Sequence, residues 1–208
     1  MFSLQKFFGK DDKFLDLLEQ AAEECRASAQ ALQHILKPAA KLNLDEFIAS
    51  RRREKKIHQE IAEMLTKVSV TGIEPEDIEA LATSLYKIPK TIEKFAERYV
   101  IFADRLTHVK WDTHLNLLEK ATQEILVMVR ELRAKTNLQK IKGQNENLQQ
   151  VEGDADNLIL KSFKEICSGE ADPVTVIILK DLYELLEKVV DRCRDTGNVI
   201  SNIILKNS

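Results

Sequence analysis

Turn chemistry is scarce in this sequence. Six glycines and four prolines among 208 residues leave little punctuation for a succession of hairpins. No stretch keeps a strand's two-residue alternation for more than a few positions. Cysteine is equally sparse: Cys25, Cys167 and Cys193 stand far apart, an odd number with no C-x-x-C. That argues against a disulfide framework or a thiolate zinc site and fits a reducing cytoplasm. No apolar run approaches about 18 residues, so no segment reads as membrane-spanning, and the N-terminal residues lack the apolar core of a signal peptide. A surplus of one charge is missing too. The 31 Lys and Arg against 34 Asp and Glu give a net charge of −3, which argues against nucleic acid as a partner. HExxH, GxSxG, GxGxxG and the GxxxxGK(S/T) phosphate loop are all absent, and no nucleophile–base pair can be assembled. The sequence reads as non-enzymatic.

What is present is helix-forming. Leu, Glu, Lys, Ala and Ile dominate a composition that is 44% hydrophobic and 31% charged. Breakers divide the chain into six long segments: Asp11–Ile35, Leu44–Val68, a third from Pro75 to about Asp104, a fourth after Trp111, Leu138–Cys167, and Pro173–Leu205. Pro75 and Pro173 suit a first helical turn, Asp112 reads as the N-cap of the fourth segment, and Pro89 is expected to kink the third. The fold class is all-α, with residues 1–208 as one domain in approximate halves 1–105 and 106–208.

The halves echo one another. Glu54, His58, Ile61, Leu65 and Val68 follow steps of 4, 3, 4 and 3, and Glu152, Asp156, Ile159, Phe163 and Ile166 repeat them. A proline lies 21 residues after the first Glu in both cases, Pro75 and Pro173. Such steps keep residues on one helical stripe, so Glu152 and Asp156 lie on a row that continues into apolar positions. In the last segment "LEKVVDRCRD" places Glu187, Asp191 and Asp195 four apart. Glu187 borders the stripe of Leu182, Leu186, Val189, Val190 and Cys193, while Asp191 and Asp195 rotate progressively outward. A partly buried carboxylate needs a partner or a cation, because desolvating it alone costs several kcal/mol. The rows read either as a solvated face with local pairs such as Glu184–Lys188 and Asp191–Arg194, or as oxygen ligands for a hard cation: Mg²⁺, Ca²⁺, Mn²⁺ or ferric iron.

With "FSLQKFFGKDDKFLDLLEQAAE", "VEGDADNLILKSF" and "LYELLEKVVDRCRDTGNVISNIILKNS", the chain resembles the PhoU-like superfamily, in its shorter branch of phosphate transport regulators or Pit accessory proteins (domain of unknown function 47). The resemblance implies two repeated three-helix bundles, each carrying an acid-x-x-x-Asp pair on two helices that hold metal clusters. Glu152/Asp156 and Glu187/Asp191 match that pair, with Asp195 as an outer member, implying a divalent or ferric ion in the second half. The first half departs from the pattern. His58 follows Glu54 where an Asp is expected, and Tyr86 and Lys90 occupy the other pair, so this half is expected to be metal-free. A lysine ammonium there can neutralise Glu54 or Glu93 instead. The resemblance further implies a cytoplasmic regulatory protein, homo-oligomeric and acting on a membrane phosphate transporter or its regulator, with association to the membrane through that partner. A carboxylate-metal phosphohydrolase and a purely structural bundle are the alternatives.

Two further stretches carry open readings. "RRREKK" (Arg51–Lys56) reads as a solvated face, or as a surface for anionic lipid or an acidic partner. Phe2, Leu4, Phe7 and Phe8 read as a segment docked into the bundle or a dimer partner, or as a short peripheral membrane contact. Cys193, on the apolar stripe, reads as a small core residue.

Overall fold

The computed structural model describes residues 4–37, 41–67, 71–134, 138–169 and 172–207, with side chains from Asp12 onward. Six α-helices account for nearly all of it: α1 (Leu4–Ile35), α2 (Asp45–Leu65), α3 (Pro75–Phe102), α4 (Asp112–Arg133), α5 (Leu138–Ile166) and α6 (Pro173–Lys206), with one 3-10 turn at Ala103–Arg105. Among the described residues there is no strand. The all-α expectation therefore holds, with bounds shifted at some ends. α1 begins at Leu4 rather than Asp11, its backbone staying helical through Gly9. The expected docking of Phe2, Leu4, Phe7 and Phe8 falls on Phe2, outside the described residues, and on side chains that precede the described ones.

Local chemistry sets the ends. The Asp172 carboxylate caps α6, accepting from the amides of Val174 (3.0 Å) and Thr175 (3.3 Å) ahead of Pro173 in the first turn. These bonds, together with one from the Thr175 hydroxyl, hold the Asp172 pKa below the usual carboxylate range. At the other end of α6, the Lys206 ammonium donates to Glu74 (3.0 Å) and Asp77 (2.9 Å) at the start of α3. A base at a C-terminus thus meets acids at an N-terminus, the arrangement both helix dipoles favour. The expected Asp112 cap is not observed: Trp111 occupies the N-cap position and no side chain caps the helix. Trp111 is instead drawn into a buried aromatic cluster, its ring 5.4 Å from Phe95, 6.1 Å from Tyr99 and 5.6 Å from Tyr183. That burial fixes the crossing from the first half to the second.

Within each half the three helices pack on one another, α1–α2–α3 and α4–α5–α6, and the halves meet through α1 against α4 and α3 against α6. The α3–α6 seam is antiparallel. Ser84 pairs with Thr196 at 2.6 Å, and Arg98 with Asp181. Pro89 sits inside α3, which stays helical through it. Proline cannot donate to the carbonyl four residues back, and the Cys25 thiol of α1 takes up the freed Leu85 carbonyl at 3.5 Å. Nearby, Arg192 of α6 donates to the Lys87 carbonyl at 2.6 Å. Cys25 and Cys193 are both fully buried.

Candidate functional site

The acidic rows meet where α5 runs antiparallel to α6. Gly197 makes the approach close: a Cβ there would lie 2.5 Å from Leu148 Cδ1 and 2.9 Å from Asn145 Oδ1. Just beyond, Asn145 bonds Asn198 at 3.1 Å. On α5, Glu152 and Asp156 are half-buried on the row that continues into buried Ile159 and half-buried Phe163 and Ile166. On α6, Leu182, Leu186, Val189, Val190 and Cys193 are buried, Glu187 and Asp191 are half-buried at the edge of that stripe, and Asp195 is exposed.

The electrostatics show which acids converge. Burial raises the Glu187 pKa most, and its neighbours Asp156, Asp191, Glu184 and Glu152 all push it further the same way. Asp191 is also raised, first by burial and then by Asp156 and Asp195, against the opposing pull of Arg194 and Lys188. Arg194 is the cation built into this seam. It lies 3.4 Å from Glu152 and 3.1 Å from Asp195, with its Nε buried and without a partner. The local pairs read from the sequence are replaced: Glu184 pairs with Lys180, one turn back, and Arg194 reaches across to α5. All five acids therefore border one seam. Among the described residues, however, no group of three or more His, Cys, Asp or Glu side chains is gathered closely enough to hold a metal ion.

The corresponding seam of the first half, between α2 and α3, is filled differently. Arg51 Nε donates to Glu93 at 3.0 Å and Nη2 to the Tyr86 hydroxyl at 2.9 Å, while the guanidinium stacks 4.5 Å from the Tyr86 ring centre. Lys90 sits 5.8 Å from the same ring. His58 contacts Thr83 at 3.4 Å and its ring lies 5.0 Å from that of Tyr86. Behind this layer Glu54 is completely buried, and neither of its carboxylate oxygens nor Arg51 Nη1 has a hydrogen-bond partner. Burial carries the Glu54 pKa up to about 7, helped by Glu24 and opposed by Arg51. Alongside, Glu24 of α1 binds Ser50 (2.7 Å) and Arg53 (2.5 Å).

No protein-family model matches the chain. The Bacillus subtilis (strain 168) protein named UPF0111 protein YkaA is 31% identical over 204 residues, which cover 96% of this chain and 98% of the relative. The chain belongs to the UPF0111 family. A Rhizobium meliloti (strain 1021) protein, provisionally named as a Pit accessory protein, is 25% identical over 219 aligned positions covering 98% of this chain and 97% of the other. Two crystal structures from Shewanella oneidensis MR-1 share the fold of this UPF0111 chain with a TM-score of 0.65 at 15% and 16% identity, over 93% of this chain and 96% of each neighbour. One is described as a PhoU-like protein, the other, provisionally, as a PhoU-like phosphate regulatory protein. The fold is PhoU-like, as the sequence resemblance implied.

Which acids of this UPF0111 chain suit a cation follows from their partners. Glu152 and Asp195 already face Arg194. Among the described residues Asp156 and Glu187 have no basic partner of their own, and Glu187 is surrounded by acids. The acids left without a base therefore lie at the Asp156–Glu187–Asp191 end of the row, and carboxylate oxygens are donors of the kind hard cations take. Sequence reasoning placed Arg51 in a solvated basic run and paired Arg194 with Asp191 on its own helix, and so missed that both reach across a helix seam, Arg51 to Glu93 and Tyr86 and Arg194 to Glu152. It missed His114 as well, which is buried against Ser162 (3.4 Å) and stacked 5.0 Å from Tyr183, with desolvation lowering its pKa to about 4.

Proposed function

We propose that this chain is an accessory regulator of inorganic phosphate transport, a helical bundle whose acidic α5–α6 seam takes a divalent or ferric ion. The observation that carries the transport role is the end-to-end similarity to the Rhizobium meliloti protein provisionally named as a Pit accessory protein, and the PhoU-like fold supports it. Asp156, Glu187 and Asp191 are the core ligands in this reading, with Glu152 and Asp195 joining when Arg194 gives way. The ion ties α5 to α6, relieves the repulsion that adds to burial in raising Glu187 and Asp191, and fixes the shape of a surface offered to the transporter or its regulator. Open coordination positions on the ion are available to phosphate oxygens. No described helix is long and apolar enough to cross a membrane, and in this reading the partner supplies the contact with the membrane.

The test is labelled-phosphate uptake in cells whose chromosomal copy is deleted or replaced by Asp156→Ala/Asp191→Ala, with the metal content of both proteins measured after purification. Deletion is expected to change uptake and the double variant to reproduce it with its metal lost. Unchanged uptake in the deletion strain would refute the transport role. An unchanged metal content in the double variant would refute the ligand set.

A further inference from the structure

Charge is divided unevenly between the two seams. Along α2–α3, residues 51–58 and 86–94 carry eight bases against two acids, Glu54 and Glu93. Along α5–α6, the corresponding residues 149–156 and 187–195 carry six acids against three bases. Glu93 neutralises Arg51 at 3.0 Å and Glu24 of α1 neutralises Arg53, while Glu54 is buried with a raised pKa, so six of the eight bases keep no ion pair among the described residues. Arg52, Lys55, Lys87 and Lys94 are exposed and make no ion pair among the described residues. On the acidic seam, Asp156 and Glu187 lack a basic partner in turn. One chain thus displays an unneutralised basic face and an unneutralised acidic face. Both are built in the same way, from two antiparallel helices with an arginine in the seam.

We propose that the basic α2–α3 face docks a second copy of this chain, which presents its acidic α5–α6 seam to it. Charge complementarity argues for this occupant. The counter-charge each face lacks is displayed by the other, on a helix pair of matching construction, so that ridges of one can enter grooves of the other. The second copy completes the acidic seam by supplying bases near Asp156 and Glu187. Those carboxylates serve one counter-charge at a time, so a bound cation and the second copy compete for them. The docking needs no cation and does not depend on the transport role.

Sedimentation velocity on the full chain, with chelator present and at low ionic strength, tests this. Wild type is expected to self-associate, less so as salt rises, because the Debye length shrinks to about 10 Å at 0.1 M. R52E/K55E and D156K/E187K are each expected to associate about a hundredfold more weakly than wild type, since like charges then face one another. An equimolar mixture of the two is expected to associate, because each variant keeps the face the other has lost, and this rescue also shows that both remain folded. Added Mn²⁺ is expected to dissociate wild type. A wild type that stays monomeric overturns the proposal, and so do variants that associate as wild type does or a mixture that stays apart. Wild type binding phosphatidylserine vesicles in place of its own copy would overturn it in favour of a lipid. The metal content of R52E/K55E, whose acidic seam is intact, reads the cation separately, so the two ideas fail independently.

Discussion

Glu54→Gln is expected to remove most of the pH dependence that the first half imposes on stability. Glu54 is completely buried among α1, α2 and α3, with neither carboxylate oxygen hydrogen-bonded. The titratable groups that act on it are Glu24 and Cys25 on α1 and Arg51 on α2, whose guanidinium is held by Tyr86 and Glu93 of α3. Its pKa rises from 4.5 to about 7, so the folded protein holds this proton more tightly than the unfolded chain does. Between those values folding takes up a proton, and stability falls as pH rises. The contribution is fully present below about pH 4.5 and lost by about pH 7. At about 1.4 kcal/mol per unit, the swing is about 3 kcal/mol, a sizeable share of the stability of a typical domain.

Urea denaturation between pH 5 and 8 measures the effect as the difference between wild type and variant. Comparison by difference matters because other groups titrate in the same window. Glu93, Glu187 and Asp191 are raised and act in the same direction as Glu54. His114, lowered to about 4 by burial, acts the other way: folding favours its neutral ring, so its contribution grows as pH rises from about 4 toward the unfolded value near 6.5. The Gln amide has the shape of the protonated carboxyl and does not titrate. The variant is therefore expected to match wild type near pH 5 and exceed it by up to about 3 kcal/mol at pH 8. Parallel pH profiles for the two proteins would refute the argument, because Glu54 would then be ionised without cost inside the bundle.

In the second half, Asp156→Ala and Asp191→Ala are each expected to strip a bound divalent or ferric ion, while Tyr86→Ala leaves metal content unchanged, as elemental analysis of the purified variants would show. Gly197→Val inserts a branched side chain where a Cβ alone would lie 2.5 Å from Leu148 Cδ1, and a loss of about 1–3 kcal/mol is expected in the same urea assay. Deleting residues 2–8 is expected to lower thermal stability or shift the oligomeric state, and unchanged stability with lost membrane-fraction binding would favour the lipid reading of Phe2, Leu4, Phe7 and Phe8. If the halves are repeats, superposing residues 44–104 on 142–204 in a crystal structure aligns α2 and α3 with α5 and α6 and brings Glu54 onto Glu152.

The helices were legible because the signals that end them are local. Pro75, Asp172 and Pro173 act within one turn of where they stand, and α3 and α6 start at the two prolines. The stripes were legible for the same reason, since spacing alone turned Glu54 and Glu152 inward. What escaped depends on partners distant in the chain. Trp111 takes the N-cap position in place of Asp112 because Phe95, Tyr99 and Tyr183 gather around it from two other helices. Nothing in the residues around Asp112 announces that. Arg194 reads from the sequence as a local partner of Asp191, yet the α5–α6 crossing delivers it to Glu152. The match of Tyr86 and Lys90 to an acid pair pointed to Lys90 as the neutralising base, whereas Arg51 holds the closer contacts.

The rule that a buried acid needs a partner or a cation leaves out a third course, and this chain uses all three outcomes of the same stripe. Glu152 faces a guanidinium at 3.4 Å. Glu187, among acids, is left as the position with most to gain from a cation. Glu54, with no hydrogen-bond partner among the described residues, keeps its proton to about pH 7. What separates them is whether a base comes within reach, acids crowd in, or the base in reach spends its bonds elsewhere. Arg51 decides the first half. It spends its bonds on Glu93 and Tyr86, so its charge weakens the rise in the Glu54 pKa without cancelling it. A metal ion in the first half would have to displace that guanidinium and coordinate beside Lys90, against two positive charges. The second half presents only Arg194 at one end of a longer acidic row. One helical scaffold therefore carries a base-filled seam in its first half and an acid-rich seam in its second, and the difference follows from the bases in reach of each inward acid.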